Sequence, residues 1–354
     1  MASTQHTPTE LEAAGDLVLP AADELAGRFP LTPNAHPATP EEYNEIMSTL
    51  AFGKKFTDHM AHMRWTREGG WEDREVIPYG PLELTPGASV FHYCQSVFEG
   101  IKAYKREDGS VWTFRPGYNA ARLNHSARRL ALPELSREDF VASLVDYVRA
   151  DVKWVPEVDG SSLYLRPFMF ASEEFVGVHP AGVVDYYVIG SPSGPYFKGG
   201  LSGVAIWVER EYHRAGPGGT GSAKAGGNYA ASLLPQIQAE AKGFSLDTYE
   251  GKYLEELGGM NMFVVMADGT IRTPELTGVI LEGGTRSAIL RLLRDEGVDV
   301  REEKIALSEV VDGIRSGAVA EVFACGTAAV VTPITRLGSD DFDVELEVGN
   351  KTRE

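Results

Sequence analysis

The chain has only two cysteines in 354 residues, Cys94 and Cys325, far apart and in no ligand spacing. That argues against a disulfide framework or a cysteine zinc site, and fits a reducing compartment such as the cytoplasm. No apolar run reaches the ~18–20 residues that a membrane span requires. The first twenty residues hold acids but no Lys or Arg, so they lack the basic start of a signal or transit peptide. Positive charge is scarce throughout: 33 Lys and Arg stand against 51 Asp and Glu, for a net charge of −18. Nucleic acid and anionic membrane faces both need basic patches, which argues against either as a partner.

What is present is an ordinary globular composition, 43% hydrophobic and 24% charged. The chain is longer than one core usually grows, so two domains are expected. Residues 1–30 read as a mobile arm, 31–192 as a small α/β domain, 193–202 as a linker around Ser193-Gly194-Pro195, and 203–354 as a larger domain. Strands are expected at Leu82–Leu84, Ser89–Tyr93, Ser162–Phe170, Val183–Gly190, Val204–Val208, Asn261–Met266, Val319–Ala324 and Ala328–Pro333, with a short one ending at Glu256. Asp108-Gly109 and Asp268-Gly269 read as hairpin turns. Helices are expected over Asn119–Ala131, Ser136–Val152, Asn228–Lys242 and Ser287–Glu296, with one more capped by Ser308 and closed by Gly317. The order is mixed α and β, with no βα rhythm long enough for a TIM barrel. The chain stops at Lys351-Thr352-Arg353-Glu354, which reads as the opening turn of a helix and so as a truncated end.

One stretch invites a chemical reading: Gly218-Gly219-Thr220-Gly221-Ser222-Ala223-Lys224-Ala225-Gly226-Gly227-Asn228-Tyr229. Glycine allows close approach of backbone to a ligand, and a lysine amine can condense with a carbonyl. Local composition leaves a second reading open, a flexible surface loop with one solvated lysine. A P-loop is excluded, because Ala225 stands where the magnesium-binding hydroxyl would be.

Other stretches extend the pattern. They are Phe56-Thr57-Asp58-His59-Met60, Val97-Phe98-Glu99-Gly100, Phe114-Arg115-Pro116, Tyr253 to Asn261, Thr273-Pro274-Glu275-Leu276-Thr277-Gly278 and Gly326-Thr327-Ala328-Ala329. With Gly218–Tyr229 this ordered set resembles the branched-chain aminotransferases, pyridoxal-phosphate enzymes of fold-type IV, from about residue 30 to the end. The resemblance implies a mixed α/β (α+β) two-domain fold with the active site between the domains, and a homodimer in which a loop like Phe175-Val176-Gly177-Val178 closes the partner's pocket. It implies pyridoxal 5'-phosphate as cofactor and ping-pong transfer of the amino group of L-leucine, L-isoleucine or L-valine to 2-oxoglutarate.

Residue by residue, the resemblance makes Lys224 the catalytic Schiff-base lysine, Glu256 the partner of the ring nitrogen (with Glu255 as its competitor), and Tyr229 the partner of the phenolic oxygen. Arg122 and the amides of Gly284-Thr285, just before the helix Ser287–Glu296, would hold the phosphate. Thr327 and Ala328 would hold the substrate carboxylate, and Thr327 also contacts the cofactor. Phe52, Phe98, Tyr164 and Tyr196 match an aromatic pocket wall. Tyr93 and Arg166 match the pair that receives the γ-carboxylate of glutamate. No metal is implied. One departure stands out: most members read Leu-Pro-Gly-Ile/Val-Thr-Arg, whereas this chain reads Leu281-Glu282-Gly283-Gly284-Thr285-Arg286, which is expected to weaken cofactor retention. D-amino-acid aminotransferases and aminodeoxychorismate lyases are shorter at the N-terminus and lack the Tyr164-x-Arg166 pairing with Gly326-Thr327-Ala328-Ala329. A non-catalytic pyridoxal-phosphate-binding relative is the alternative from another class, and a dinucleotide oxidoreductase lacks its Gly-x-Gly-x-x-Gly.

Overall fold

A computed structural model describes residues 7–194, 203–244, 246–249, 252–328, 330–349 and 352. Contacts divide the chain into two compact units, Met1–Tyr196 with Ala223–Ala225, and Phe197–Ser222 with Gly226–Glu354. Each is a mixed α/β unit built on one sheet. The three residues 223–225, cut out of the second stretch of chain, carry the lysine.

Among the described residues the first unit holds a seven-stranded sheet: β1 (His59–Thr66), β2 (Gly70–Pro78), β3 (Ser96–Phe98), β4 (Ile101–Lys105), β5 (Val111–Thr113), β6 (Ser162–Ala171) and β7 (Val183–Ser193). The order is β2-β1-β7-β6-β4-β5, and β3 also pairs with β6. The helix Arg137–Ala150 buries Phe140 and Leu144 in the core with Met63, Leu163, Leu165 and Val188. Ser136 caps that helix, its hydroxyl accepting from the Asp139 amide at 3.0 Å. The helix Pro116–Arg129 starts earlier than its spacing suggested, with proline at its first turn. Its apolar side, Ala120, Leu123 and Ala127, enters the same core.

The second unit holds an eight-stranded sheet among the described residues: β8 (Val204–Glu209), β9 (Leu246–Tyr249), β10 (Asn261–Met266), β11 (Ile271–Pro274), β12 (Val300–Glu303), β13 (Val319–Gly326), β14 (Val330–Gly338) and β15 (Asp343–Glu345). The order is β12-β11-β10-β13-β14-β8-β9, with β15 on β14. Val264, Val322 and Ile334 build one core with Val310 and Val311 of the helix Leu307–Ser316, while Phe263 and Phe323 form another with Leu290 of the helix Gly284–Asp295. The two aspartate-glycine turns close the antiparallel hairpins β4–β5 and β10–β11. No helix of the described residues is long and apolar enough to cross a membrane.

Several local expectations are corrected. Leu82–Leu84 is not a strand; it lies between Pro81 and Pro86, neither of which can donate to a ladder. Ser89–Tyr93 is a short helix, Val90–Tyr93, ended by Cys94 in the left-handed region at φ 50°. The helix expected over Asn228–Lys242 breaks into Gly226–Ala230 and Leu233–Ala241. Pro235 lacks the amide that one continuous helix would need there, and its ring would clash with the carbonyl four residues back. Ser308 does not cap the helix Leu307–Ser316; that place is taken by Ala306. Instead of a strand ending at Glu256 there is a loop between isolated bridges at Tyr253 and Leu257. Residues 10–29, assigned to a mobile arm from sequence, bury Leu11 against Tyr118 and Ala121, and send Leu25 and Phe29 into the first core.

Candidate functional site

In the first unit the lysine is presented at the edge of β3. Ala225 makes an antiparallel bridge with Val97, and the Phe98 amide donates to the Lys224 carbonyl at 3.0 Å. The Lys224 amide donates to Ser126 Oγ at 2.8 Å. The backbone is thereby pinned on both sides, and Nζ stands 4.9 Å from the centre of the Phe98 ring.

From Phe98 a continuous cluster follows. The Arg166 guanidinium lies 4.6 Å from the Phe98 ring centre and 5.4 Å from that of Tyr164. Arg166 Nη2 donates to Tyr164 Oη at 3.0 Å, and Phe52 meets the Tyr164 ring edge-on at 4.9 Å. Tyr164 and Arg166 are two residues apart on β6 and share one side of the sheet. Arg166 Nε is buried and has no hydrogen-bond partner among the described residues. A buried donor left unmet is costly, and a carboxylate is the natural group to meet it. So four residues named from the sequence, Phe52, Phe98, Tyr164 and Arg166, gather with Lys224. Tyr93 lies apart from them: it is 40% exposed on the short helix, against the ring of His92. Tyr196 lies outside the described residues.

Arg122 is buried, and its Nε and Nη2 each donate to Glu99 at 2.8 Å. Asn119 Nδ2 donates to the same carboxylate at 2.8 Å. Asn119, Arg122 and Ser126 make a buried polar stripe at helical spacing along Pro116–Arg129, beside its apolar side. Sequence reasoning assigned no role to Glu99, Asn119 or Ser126. The signal was present in the spacing 119, 122, 126, but polar residues at that spacing read equally well as a solvated face. Lys102, the register partner of Tyr164 on β4, was also passed over; burial pushes its ammonium below the ordinary lysine range.

The second unit carries the remaining residues. Glu256 Oε2 accepts from Arg214 Nη2 at 2.7 Å and from the Leu281 amide at 2.8 Å. Its neighbour Glu255 is half-buried, and burial with the charge of Glu256 pushes its carboxyl upward against the pull of Arg214 and His213. Glu256, the acid named from the sequence, is thus held by two donors. Gly284 and Thr285 are the first two residues of the helix Gly284–Asp295, not residues preceding it, so they sit at its positive end. Asn261 Nδ2 fixes that loop through the Leu281 carbonyl at 2.9 Å. Tyr229 is half-buried beside Gly259, where an added Cβ would lie 3.2 Å from the ring. Thr327 and Ala328 form the turn between β13 and β14.

As a donor set these residues fit pyridoxal phosphate. By chemical type, an amine suits the aldehyde, a carboxylate held by two donors suits the ring nitrogen, and a guanidinium and helix-start amides suit the phosphate. The orphaned nitrogens Arg166 Nε and Arg214 Nη1 are open to further acceptors.

Residues 96–337 match the family model "Amino-transferase class IV". A branched-chain-amino-acid aminotransferase of Mycolicibacterium smegmatis is 48% identical over 329 residues, covering 91% of this chain and 89% of that protein. The crystal structure of a branched-chain aminotransferase from the thermophilic archaeon Thermoproteus uzoniensis with norvaline superposes with a TM-score of 0.69 at 27% identity, covering 83% of this chain and 91% of that one. An aminotransferase from Brucella abortus bound to the cofactor PLP gives a TM-score of 0.62 at 25% identity, covering 83% and 95%.

Proposed function

Because this chain belongs to the branched-chain-amino-acid aminotransferases of amino-transferase class IV, we propose that it moves the amino group of leucine, isoleucine or valine to 2-oxoglutarate, with Lys224 as its catalytic base. Bound pyridoxal 5'-phosphate, the cofactor of this class, supplies an aldehyde that accepts the amino group and a ring that draws electrons from the substrate α-carbon. Glu256 would hold a proton on the ring nitrogen. Tyr229 would bond the phenolic oxygen, and Arg122, Gly284 and Thr285 would hold the phosphate. Lys224 Nζ would take the α-proton of the substrate. Thr327 and Ala328 bind the α-carboxylate.

The observation that carries this reading is the cluster in the first unit, in which Lys224 Nζ, Phe98, Arg166, Tyr164 and Phe52 follow one another in contact. Its rings suit an aliphatic side chain, and its guanidinium suits the second carboxylate of glutamate. The two demands of the reaction are thus met by one group of side chains. The test is spectroscopic: the purified holoenzyme should absorb near the visible edge, and L-leucine should shift that band. A colourless protein after incubation with the cofactor removes the reading, and colour without a shift favours a non-catalytic binding protein.

The active form we propose is a homodimer. Phe91 and Tyr93 are exposed on the short helix Val90–Tyr93, and Phe175, Val176 and Val178 on the loop after β6; the two segments are joined by bonds from Phe175 N to Gly87 O at 2.9 Å and from Ser89 N to Glu173 O at 2.9 Å. An apolar patch on a tied pair of segments suits a second copy of the chain. It also places Tyr93 where it could serve a neighbouring subunit. Sedimentation velocity decides: a wild-type monomer, or a Val176→Asp variant that stays dimeric and fully active, overturns this assignment.

A further inference from the structure

Arg214 stands in the loop after β8, ten residues before Lys224, and nothing in the sequence pattern assigned it a role. Its side chain is 10% exposed, and that of Glu256 is 3% exposed. A single nitrogen, Nη2, lies within reach of three acceptors: Glu256 Oε2 at 2.7 Å, the Val279 carbonyl at 2.8 Å and the Gly221 carbonyl at 3.3 Å. These acceptors come from three separate stretches of chain. Gly221 leads into the lysine segment, Val279 leads into the helix Gly284–Asp295, and Glu256 lies between them in sequence.

Two of those stretches are in direct contact. A Cβ on Gly221 would lie 2.4 Å from the Val279 oxygen and 2.6 Å from its Cα, so only glycine lets the backbones pass this closely. Arg214 binds both carbonyls at that crossing, which fixes where its guanidinium sits. The guanidinium in turn fixes Glu256, and the Leu281 amide reinforces the same oxygen from the other strand of the crossing. A buried carboxylate without such partners would neutralise itself by taking up a proton.

We propose, resting on the reading above, that Arg214 is a positioning residue that acts through Glu256, holding its carboxylate in the one orientation that serves the cofactor's ring nitrogen. The expectation follows that Arg214 matters to cofactor binding only while Glu256 is a carboxylate.

The experiment is a double-mutant cycle on the full chain with Arg214→Gln, Glu256→Gln and the pair. Apo-protein is titrated with pyridoxal 5'-phosphate, and tryptophan fluorescence reads the dissociation constant. Arg214→Gln alone should raise the constant by roughly 10- to 100-fold, the usual effect of removing an outer partner of a ligand-binding group. In the Glu256→Gln background the same change should add less than about 3-fold, the non-additivity expected of residues acting as one unit. An equal loss in both backgrounds, or no loss in either, overturns the proposal, since a purely structural staple would act regardless of Glu256. Should Arg214→Gln fail to fold, Arg214→Lys runs through the same cycle, with a smaller loss that must again vanish without the Glu256 carboxylate. If the wild-type protein itself does not bind the cofactor, it is the functional reading that fails, and the two failures are thereby told apart.

Discussion

Replacing Gly100 by alanine should damage recognition of the dicarboxylate more than recognition of leucine. A Cβ at Gly100 would lie 2.2 Å from Tyr164 Oη and 3.0 Å from its Cζ. To restore an ordinary contact near 3.4 Å, the hydroxyl must move by about 1.2 Å, the difference between 3.4 and 2.2. The backbone cannot yield instead: Asn119 Nδ2 holds the Gly100 carbonyl at 3.3 Å, and the Glu99 amide is bound to the Pro167 carbonyl at 2.7 Å. The ring must therefore swing, against its edge contact with Phe52. The 3.0 Å bond from Arg166 is disturbed with it. Overpacking of this kind costs about 1–3 kcal/mol of stability. A displacement of about 1 Å at a substrate-positioning group can lower the rate ~100-fold.

Steady-state kinetics should thus show kcat/KM for 2-oxoglutarate falling by roughly 10- to 100-fold. The loss for leucine, which needs the rings but not the Arg166–Tyr164 pair, should be about ten times smaller. Equal losses for both substrates would refute the assignment of this pair to the dicarboxylate. An unchanged enzyme would refute the claim that the ring is confined.

Lys224→Ala should abolish transamination and the visible-edge absorbance together; appreciable residual turnover would mean another lysine is the base. The double change Glu282→Pro with Gly284→Ile should tighten pyridoxal-phosphate binding severalfold, since it removes a carboxylate and a flexible residue from the start of the helix; equilibrium dialysis showing no tightening counts against that view of the loop. His62 should make stability depend on pH. Burial would lower its pKa, but its hydrogen bonds to Asp185 at 2.9 Å and Glu75 at 3.0 Å prevail and raise it above 6.5. A raised folded value means that this stabilisation is complete below pH 6.5 and is lost as pH rises through the folded pKa. The Tm should fall across that range, and His62→Phe should flatten the slope; an unchanged slope refutes it. Asp185 runs the other way: burial would raise its pKa, but bonds from His62 and Arg64 hold it at about 2 against an ordinary 3.8. Its contribution, about 2 kcal/mol, is present above pH 3.8 and lost as pH falls toward 2. Acid titration of Asp185→Asn against the wild type checks this, since the difference between them should shrink over that window.

Much of the site was legible because its chemistry is local. Lys224 in its glycine-rich bed, the paired glutamates before Met260-Asn261, and Tyr164-x-Arg166 are each readable within a few residues. The hairpin turns were legible for the same reason, since an Asp-Gly pair dictates its own backbone conformation. Errors fell where local preference was overruled. Ser89–Tyr93, rich in strand-favouring residues behind the Pro86-Gly87 turn, has no ladder partner among the described residues and winds into a helical turn. The residues of 10–29 show little period, and only the finished core reveals that Leu25 and Phe29 fill it.

By itself the sequence determined the family and the mixed α/β class, and it singled out the lysine and the aromatic and cationic residues proposed above for the site. These follow from short-range spacing and from the identities of single residues. Tertiary structure alone decided which polar residues act together: that Glu99 faces Arg122, that Ser126 pins Lys224, that the Leu281 amide braces Glu256, and that Arg214 binds the same carboxylate. Those partners are separated by 23, 98, 25 and 42 positions along the chain. No pattern of propensity or period reaches across such distances, because a buried charge selects its partner through the packing around it.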